Sequence, residues 1–160
     1  MAKKATKAAD NLFYKARIEA ASCNDRLFSR EGAAEQIGID RTRLARIELG
    51  SLYPYPEEVL LMSDTYNAPE IKAFYCKECC PLGCNNPHIV LEDLDRVSVK
   101  ALSLFRKLPG AKDILLDIVE DGIITEEEKP SLNEFLTTMS ELEMFIQQFK
   151  LLAEKNNWKE

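Results

Sequence analysis

Apolar residues recur along the chain at steps of three and four, with few β-branched runs and six glycines, which predicts helices rather than a sheet. A first helix is expected from Asn11 to about Ser22, with Leu12, Tyr14, Ile18 and Ala21 set among charged neighbours. A second begins after Ser29, whose hydroxyl can cap it, and ends at Gly38. A third begins after Asp40, another good cap, and stops at Gly50. Its Leu44 and Ile47 point inward, while Arg41, Thr42, Arg43 and Arg46 point elsewhere. Leu52-Tyr53-Pro54-Tyr55-Pro56 must be a loop, because two prolines cannot continue a helix. Pro56 then opens a fourth helix to about Tyr66, and a fifth runs from about Pro69 to Cys80, where Pro81 and Gly83 break it.

From Ile89 the pattern changes. Leu91, Leu94, Ala101, Phe105 and Leu108 fall on one helical face, and Leu108-Pro109-Gly110 is expected to end that helix. Ile114, Leu115, Ile118 and Val119 mark a short helix closed by Asp121-Gly122. The longest stretch runs from Pro130 to about Lys155. Its Leu132, Phe135, Met139, Leu142, Ile146 and Phe149 alternate steps of three and four, as in a coiled-coil seam. At ~1.5 Å per residue this helix spans nearly 40 Å, so it either folds back on its own chain or forms the seam of a dimer. The fold class is all-α. Residues 1–10 form a flexible basic tail, 11–84 one helical domain, and 89–160 a helical region for dimerisation or signal reception.

Residues 28–50 are the most specific stretch: Phe-Ser-Arg-Glu-Gly-Ala-Ala-Glu-Gln-Ile-Gly-Ile-Asp-Arg-Thr-Arg-Leu-Ala-Arg-Ile-Glu-Leu-Gly. Ala34 lets two helices cross closely, Gly38 permits a sharp left-handed turn, and Ile39, Leu44 and Ile47 dock the next helix. What remains outward is a turn bearing Arg41, Thr42 and Arg43, the arrangement by which a helix-turn-helix unit offers a recognition helix to the major groove.

On these residues the chain resembles the Cro/repressor-type (XRE) family of helix-turn-helix regulators, over roughly residues 11–75. The resemblance rests on Ser29-Arg30-Glu31, Ala34, Ile37-Gly38-Ile39 and Arg46-Ile47-Glu48-Leu49-Gly50, with Pro56-Glu57-Glu58-Val59-Leu60 matching the fourth helix. It implies a five-helix, lambda-repressor-like domain that binds double-stranded operator DNA as a homodimer. By the same resemblance Ser29 and Arg30 hold phosphate or a base edge, Arg41, Thr42 and Arg43 read bases, and Arg46 and Ser51 lie near the backbone. It also implies an internal ion pair between Arg17 and Glu48. Arg30 stands where the family often has Gln, and Leu49 where it often has Asn. Gly32 lies inside the second helix at an expected cost of ~1 kcal/mol relative to Ala.

Charge complicates a nucleic-acid reading and then supports it. The chain carries −6 overall, with 46% hydrophobic and 30% charged residues. Residues 1–52 hold ten Lys/Arg against seven Asp/Glu, and the remaining 108 hold eleven against twenty. The halves therefore have opposite sign, so a basic face can be presented locally. Lys3, Lys4, Lys7 and Lys15 would add sequence-blind phosphate attraction. No apolar run approaches the roughly twenty residues of a membrane span, and the basic start lacks the apolar stretch of a signal peptide. The expected location is cytoplasmic, with thiols reduced.

Cys76, Cys79, Cys80 and Cys84 lie within nine residues, with His88 four further on. Thiols so spaced suit zinc, an iron–sulfur cluster or a redox pair, and equally suit small groups buried at the end of the fifth helix. The expectation is no cofactor, with these four as the metal candidates. Cys23 is isolated and expected to be structural. Asp117 to Glu128 has half of a calcium loop, but Val119 cannot ligate. The segment is therefore a turn leading to a helix capped by Thr125, with Glu126 to Glu128 in its first turn. No triad or phosphate loop is present, so no enzyme is expected. The expected function is a sequence-specific transcriptional regulator, a repressor by the resemblance. The alternatives are a protein-interaction module such as an antirepressor, and a thiol- or metal-sensing regulator.

Overall fold

The computed structural model describes residues 8–83, 86–119 and 124–158. Among them every regular element is helical, and the chain divides after His88 into two compact units. The first holds α1 (Leu12–Ala20), α2 (Arg30–Ile37), α3 (Arg41–Glu48), α4 (Pro56–Tyr66) and α5 (Glu70–Glu78), with single 3-10 turns at Asp25–Phe28 and Pro81–Gly83.

Local chemistry sets these boundaries. The Asn11 side chain accepts the Tyr14 N–H at 3.2 Å, Ser29 Oγ accepts the Gly32 N–H at 3.0 Å, and Asp40 accepts the Thr42 and Arg43 N–H groups at 2.8 and 3.0 Å. Gly38 closes α2 at φ +80°, where a β-carbon would be strained. Between the Ser29 and Asp40 caps the chain has one way to turn, and α3 leaves α2 at an angle set by that glycine. Phe13, Ala16, Leu27, Ala33, Ala34, Ile37, Leu44, Ile47, Val59, Met62, Tyr66 and Ile71 are buried together.

Three expectations change here. The inward face of α1 is Phe13, Ala16 and Arg17, while Leu12, Tyr14 and Ile18 are half-buried. Phe13, which the predicted face left out, packs edge-on against Phe74 at 5.9 Å, and Arg17 turns inward to pair with Glu48, as the resemblance implied. Residues 8–10 belong to the folded unit rather than to a tail, because Ala8 is buried and its carbonyl accepts the Asn11 N–H. Lys3, Lys4 and Lys7 lie outside the described residues. Gly32 also has a reason beyond propensity: a β-carbon there would lie 2.4 Å from the Arg26 carbonyl oxygen, so glycine lets α2 approach the preceding turn.

The second unit is a hairpin of α6 (Leu94–Val119) and α7 (Lys129–Lys155). Its pairings fall in reverse order along the two helices, with Gln148 donating to the Val90 carbonyl, Phe105 against Phe145 and Lys107 against Glu141, so the helices are antiparallel.

Pro109-Gly110 does not end a helix, contrary to expectation. The predicted short helix is the last part of α6. Val97, Ala101, Leu104, Leu108, Ala111 and Ile118 form a stripe at helical steps across the proline, and all but the half-buried Leu108 are buried. Pro109 itself is exposed. An interior proline costs about 3 kcal/mol, whereas burying one isoleucine contributes about 1.5–3 kcal/mol, so ending the helix early would lose as much as it saved. The stripe also differs from the predicted face: Ala101 and Leu108 are shared, but Leu94 and Phe105 are exposed. Likewise α7 buries Thr138, Gln148, Leu152 and Ala153, while Ile146 and Phe149 of the predicted seam are exposed. Ahead of α7, Glu126–Glu128 form a turn, and Glu128 accepts both the N–H and the hydroxyl of Thr125. The helix start expected at Thr125 is therefore a turn, and α7 itself runs as the Pro130–Lys155 periodicity predicted. Asp121 and Gly122 lie outside the described residues.

The two helical glycines should respond oppositely. We expect Gly110→Ala, whose β-carbon meets nothing within 4 Å, to raise stability by up to ~1 kcal/mol. Gly32→Ala should lower it by ~1–3 kcal/mol despite the same gain in propensity, because backbone must move. Denaturant melts of the two variants check both signs.

Candidate nucleic-acid interface

The position of α3 is set by a buried carboxylate. Glu48, at its C-terminal end, has no exposed surface. Arg17 of α1 reaches it through Nε at 2.5 Å and Nη2 at 3.2 Å, and Arg30 of α2 through Nε at 2.6 Å. The remaining guanidinium nitrogen of Arg17 donates to the Leu27 and Phe28 carbonyls at 2.6 and 3.0 Å. The Asn11 side chain donates to the Ile47 carbonyl at 3.0 Å. One carboxylate thus joins three helices and the turn between two of them. Nearby, the Tyr66 hydroxyl is buried with no hydrogen-bond partner among the described residues. Burial first, and then the Glu48 charge, push its pKa well up, against the opposing effect of Arg17, so it stays neutral.

With Leu44, Ile47 and Glu48 inward, helical geometry puts Thr42, Arg46 and Leu49 on the opposite side, and all three are exposed. Arg41 is exposed on the flank toward α2. It lines an open groove of about 380 Å³ together with Ser29, Arg30, Tyr14 and Phe28. Ser51 is exposed, and its backbone N–H and its hydroxyl both donate to the Arg46 carbonyl, at 2.9 and 3.1 Å. Ser29, Arg30 and Arg41 are therefore brought together, Thr42 and Arg46 stand beside them, and Ser51 holds the end of the helix.

Arg43 differs from its expected role as a base reader. Its guanidinium makes a two-point ion pair with Glu58 of α4, one contact at 2.8 Å, and lies 4.2 Å from the centre of the Tyr55 ring. Glu58 also accepts the Tyr55 N–H at 2.7 Å. Arg43 is thus a brace between α3 and the start of α4, and Arg30 is half-engaged as the second partner of Glu48. The sequence carried a signal for the fold-back of Glu58 onto the Tyr55 N–H, since the two stand three apart at a helix start, but none for its pairing with Arg43. Nothing in it marked Arg30 for Glu48.

Among the described residues the cysteines are not gathered into a comparable site. Cys76 and Cys23 are exposed, Cys79 and Cys80 are half-buried, and Cys84 lies outside the described residues. Cys23 is therefore not the buried structural thiol expected. Burial, and then the neighbouring Glu78, raise the Cys79 pKa. Among the described residues no three His, Cys, Asp or Glu side chains are grouped to hold a metal. Gly83 packs tightly on the end of α5, since a β-carbon would overlap the Cys76 carbonyl. His88 is exposed. No helix among the described residues is long and apolar enough to cross a membrane. Comparison with protein-family models, with curated proteins and with solved structures finds no match for the chain.

Glu48→Ala should destabilise the first unit by ~3–5 kcal/mol, because it leaves the buried Arg17 charge without its partner. Urea unfolding measures this, and Arg17→Met with Glu48→Leu together should recover much of the loss. The Glu58 carboxyl is held below its ordinary value of 4.5, chiefly by the Arg43 hydrogen bonds and against the opposing effect of burial. A depressed folded pKa gives stability that is present above the unfolded value and lost as pH falls through the folded one. Stability should therefore drop as pH falls below about 4.5, and Glu58→Gln should flatten that part of the profile.

Proposed function

We propose that the chain is a sequence-specific, double-stranded-DNA-binding transcriptional regulator, of the repressor type that its helix-turn-helix resembles. The observation that carries the reading is the aspect of α3. Its apolar side and Glu48 are buried, while Arg41, Thr42 and Arg46 stand in solvent beside the exposed start of α2.

In this reading α3 enters the major groove. Arg46 and Thr42 face the bases, and Arg41 reaches either a guanine edge or a phosphate from its flank. Arginine serves here because its fork can bond guanine O6 and N7 together, at ~1–3 kcal/mol of discrimination per pair. The Ser29 end of α2 meets the backbone, where free helix N–H groups and Arg30 attract phosphate. Arg43 holds the angle between α3 and α4 and does not read bases. Two copies on one operator would present their α3 helices ~34 Å apart, one turn of DNA. The second unit, with its excess of carboxylates, stays off the polyanion.

The engagement of Arg43 by Glu58 favours a second reading, a protein-interaction module on the same scaffold, since it removes one cation from the face. The two part in a gel-shift experiment on genomic fragments over a range of salt. The DNA reading requires a subset of fragments to be retained, with affinity falling steeply as salt rises. Arg46→Ala and Arg41→Ala should each cost roughly 10-fold or more on those fragments with the fold intact by circular dichroism. Retention of no fragment at any salt overturns it.

A further inference from the structure

Each helix of the hairpin buries one stripe against the other and leaves a second apolar stripe in solvent. On α6 this is Leu94, Leu102, Phe105 and Leu116, between 43% and 62% exposed, with Ser98, Pro109 and Lys112 exposed between them. On α7 it is Ile146 and Phe149, 40% and 43% exposed, continuing the row that begins at Leu132. At about 100° per residue, the second stripe lies roughly 110° around α6 from its buried stripe and roughly 80° around α7. Because the helices are antiparallel, rotations of the same sense carry both stripes to the same side of the hairpin. The rings join them across the seam: Phe105 meets Phe145 at 5.8 Å, Phe145 meets Phe149 at 6.0 Å, and Phe149 meets Trp158 at 6.3 Å. The opposite side is mostly polar, with Met144 exposed on it, and is crossed by the Lys107–Glu141 ion pair at 2.7 Å.

We infer that the apolar side pairs with the same side of a second copy of this chain, closing a four-helix bundle. Three observations select that occupant. Two helices laid together have no interior, and a unit this small needs a further layer to bury its apolar residues. The face also has the size of a stable self-interface. Helices of 26 and 27 residues make it about 40 Å long and about 20 Å wide, or about 800 Å² per copy, the area typical of a specific complex. Finally, it is made of two helices of nearly equal length running in opposite directions. It therefore matches itself under a two-fold rotation, as an isologous dimer requires. The flanks carry both signs, Asp95 and Arg106 on α6 and Glu143 and Lys150 on α7, all exposed, so like faces can meet without a single-sign clash. The inference does not rest on the DNA reading and is tested without DNA.

The test is the mass of the full chain in solution, by sedimentation equilibrium from ~1 to 100 μM. The wild type should run at twice 18.2 kDa. Ile146→Glu with Phe149→Glu should weaken self-association by roughly 100-fold or more. The same two charges on the polar side, as Ser103→Glu with Thr137→Glu, should leave the dimer in place. A monomeric wild type overturns the inference, and so does a dimer that survives the apolar-side pair. Should that pair also lose helicity, isotope-filtered nuclear Overhauser spectra of mixed labelled and unlabelled wild type decide. Inter-copy contacts joining Phe105 and Leu116 to Ile146 and Phe149 support the face, and inter-copy contacts confined to other residues overturn it.

Discussion

Glu48 lies at the end of α3 without exposed surface, between the guanidinium groups of Arg17 and Arg30. A lone buried carboxylate would cost several kcal/mol, and one guanidinium in good geometry roughly balances that cost. The second guanidinium and the carbonyls of Leu27 and Phe28 complete the hydrogen bonding on both sides of the pair. The net stabilisation is small, but the geometric constraint is large. Apolar packing alone would let α3 roll or slide, since side chains such as Leu44 and Ile47 accept many orientations. A planar fork meeting a carboxylate accepts few. The direction in which Thr42 and Arg46 face solvent is therefore fixed from beneath by ionic contacts, and from the α4 side by Arg43 on Glu58 and Tyr55.

The same residue type thus does two jobs on one short segment. Arg17, Arg30 and Arg43 are held by carboxylates, while Arg41 and Arg46 are exposed. On the proposed reading, a surface that meets a polyanion has to keep some cations from collapsing onto its own acidic groups. Here that is arranged by position: the carboxylates of Glu48 and Glu58 are already saturated by other arginines. Asp40, the acid nearest to Arg41 in sequence, spends its oxygen on two backbone donors.

The second unit follows a different physics. Among the described residues its hairpin contains no buried ionic centre, and it is organised by two apolar stripes per helix, one of which closes the hairpin. Continuity of that stripe explains why α6 passes through Pro109. The proline falls on an exposed position, so its ring meets no neighbouring helix, and the packing of Ala111 and Ile118 beyond it offsets the lost hydrogen bond. Paired through the remaining stripe, two copies would come as a fixed set, which is the form in which a weak recognition surface gains affinity.

In the first unit, where helix starts depend on a few neighbouring residues, the amino-acid sequence was enough, whereas the local signals at Pro109-Gly110 and Thr125 misled. Asn11, Ser29 and Asp40 as caps, Gly38 as a left-handed stop and Pro56 as a first helical residue act within one turn of chain. The starts of α1 to α4 follow from them. The all-helical class and the division near residue 88 follow from periodicity in the same way. Tertiary structure decided what distance along the chain conceals: that Arg30 is the second partner of Glu48, and that Arg43 belongs to Glu58 fifteen residues away. It also chose between two apolar stripes that periodicity ranked by regularity alone. The stripe that packs is the one facing the other helix, and it includes small or polar residues such as Ala101 and Thr138 that let the two axes approach. Charge and helical period are properties of the chain, but which charge is spent and which face is covered depend on what the fold brings opposite them.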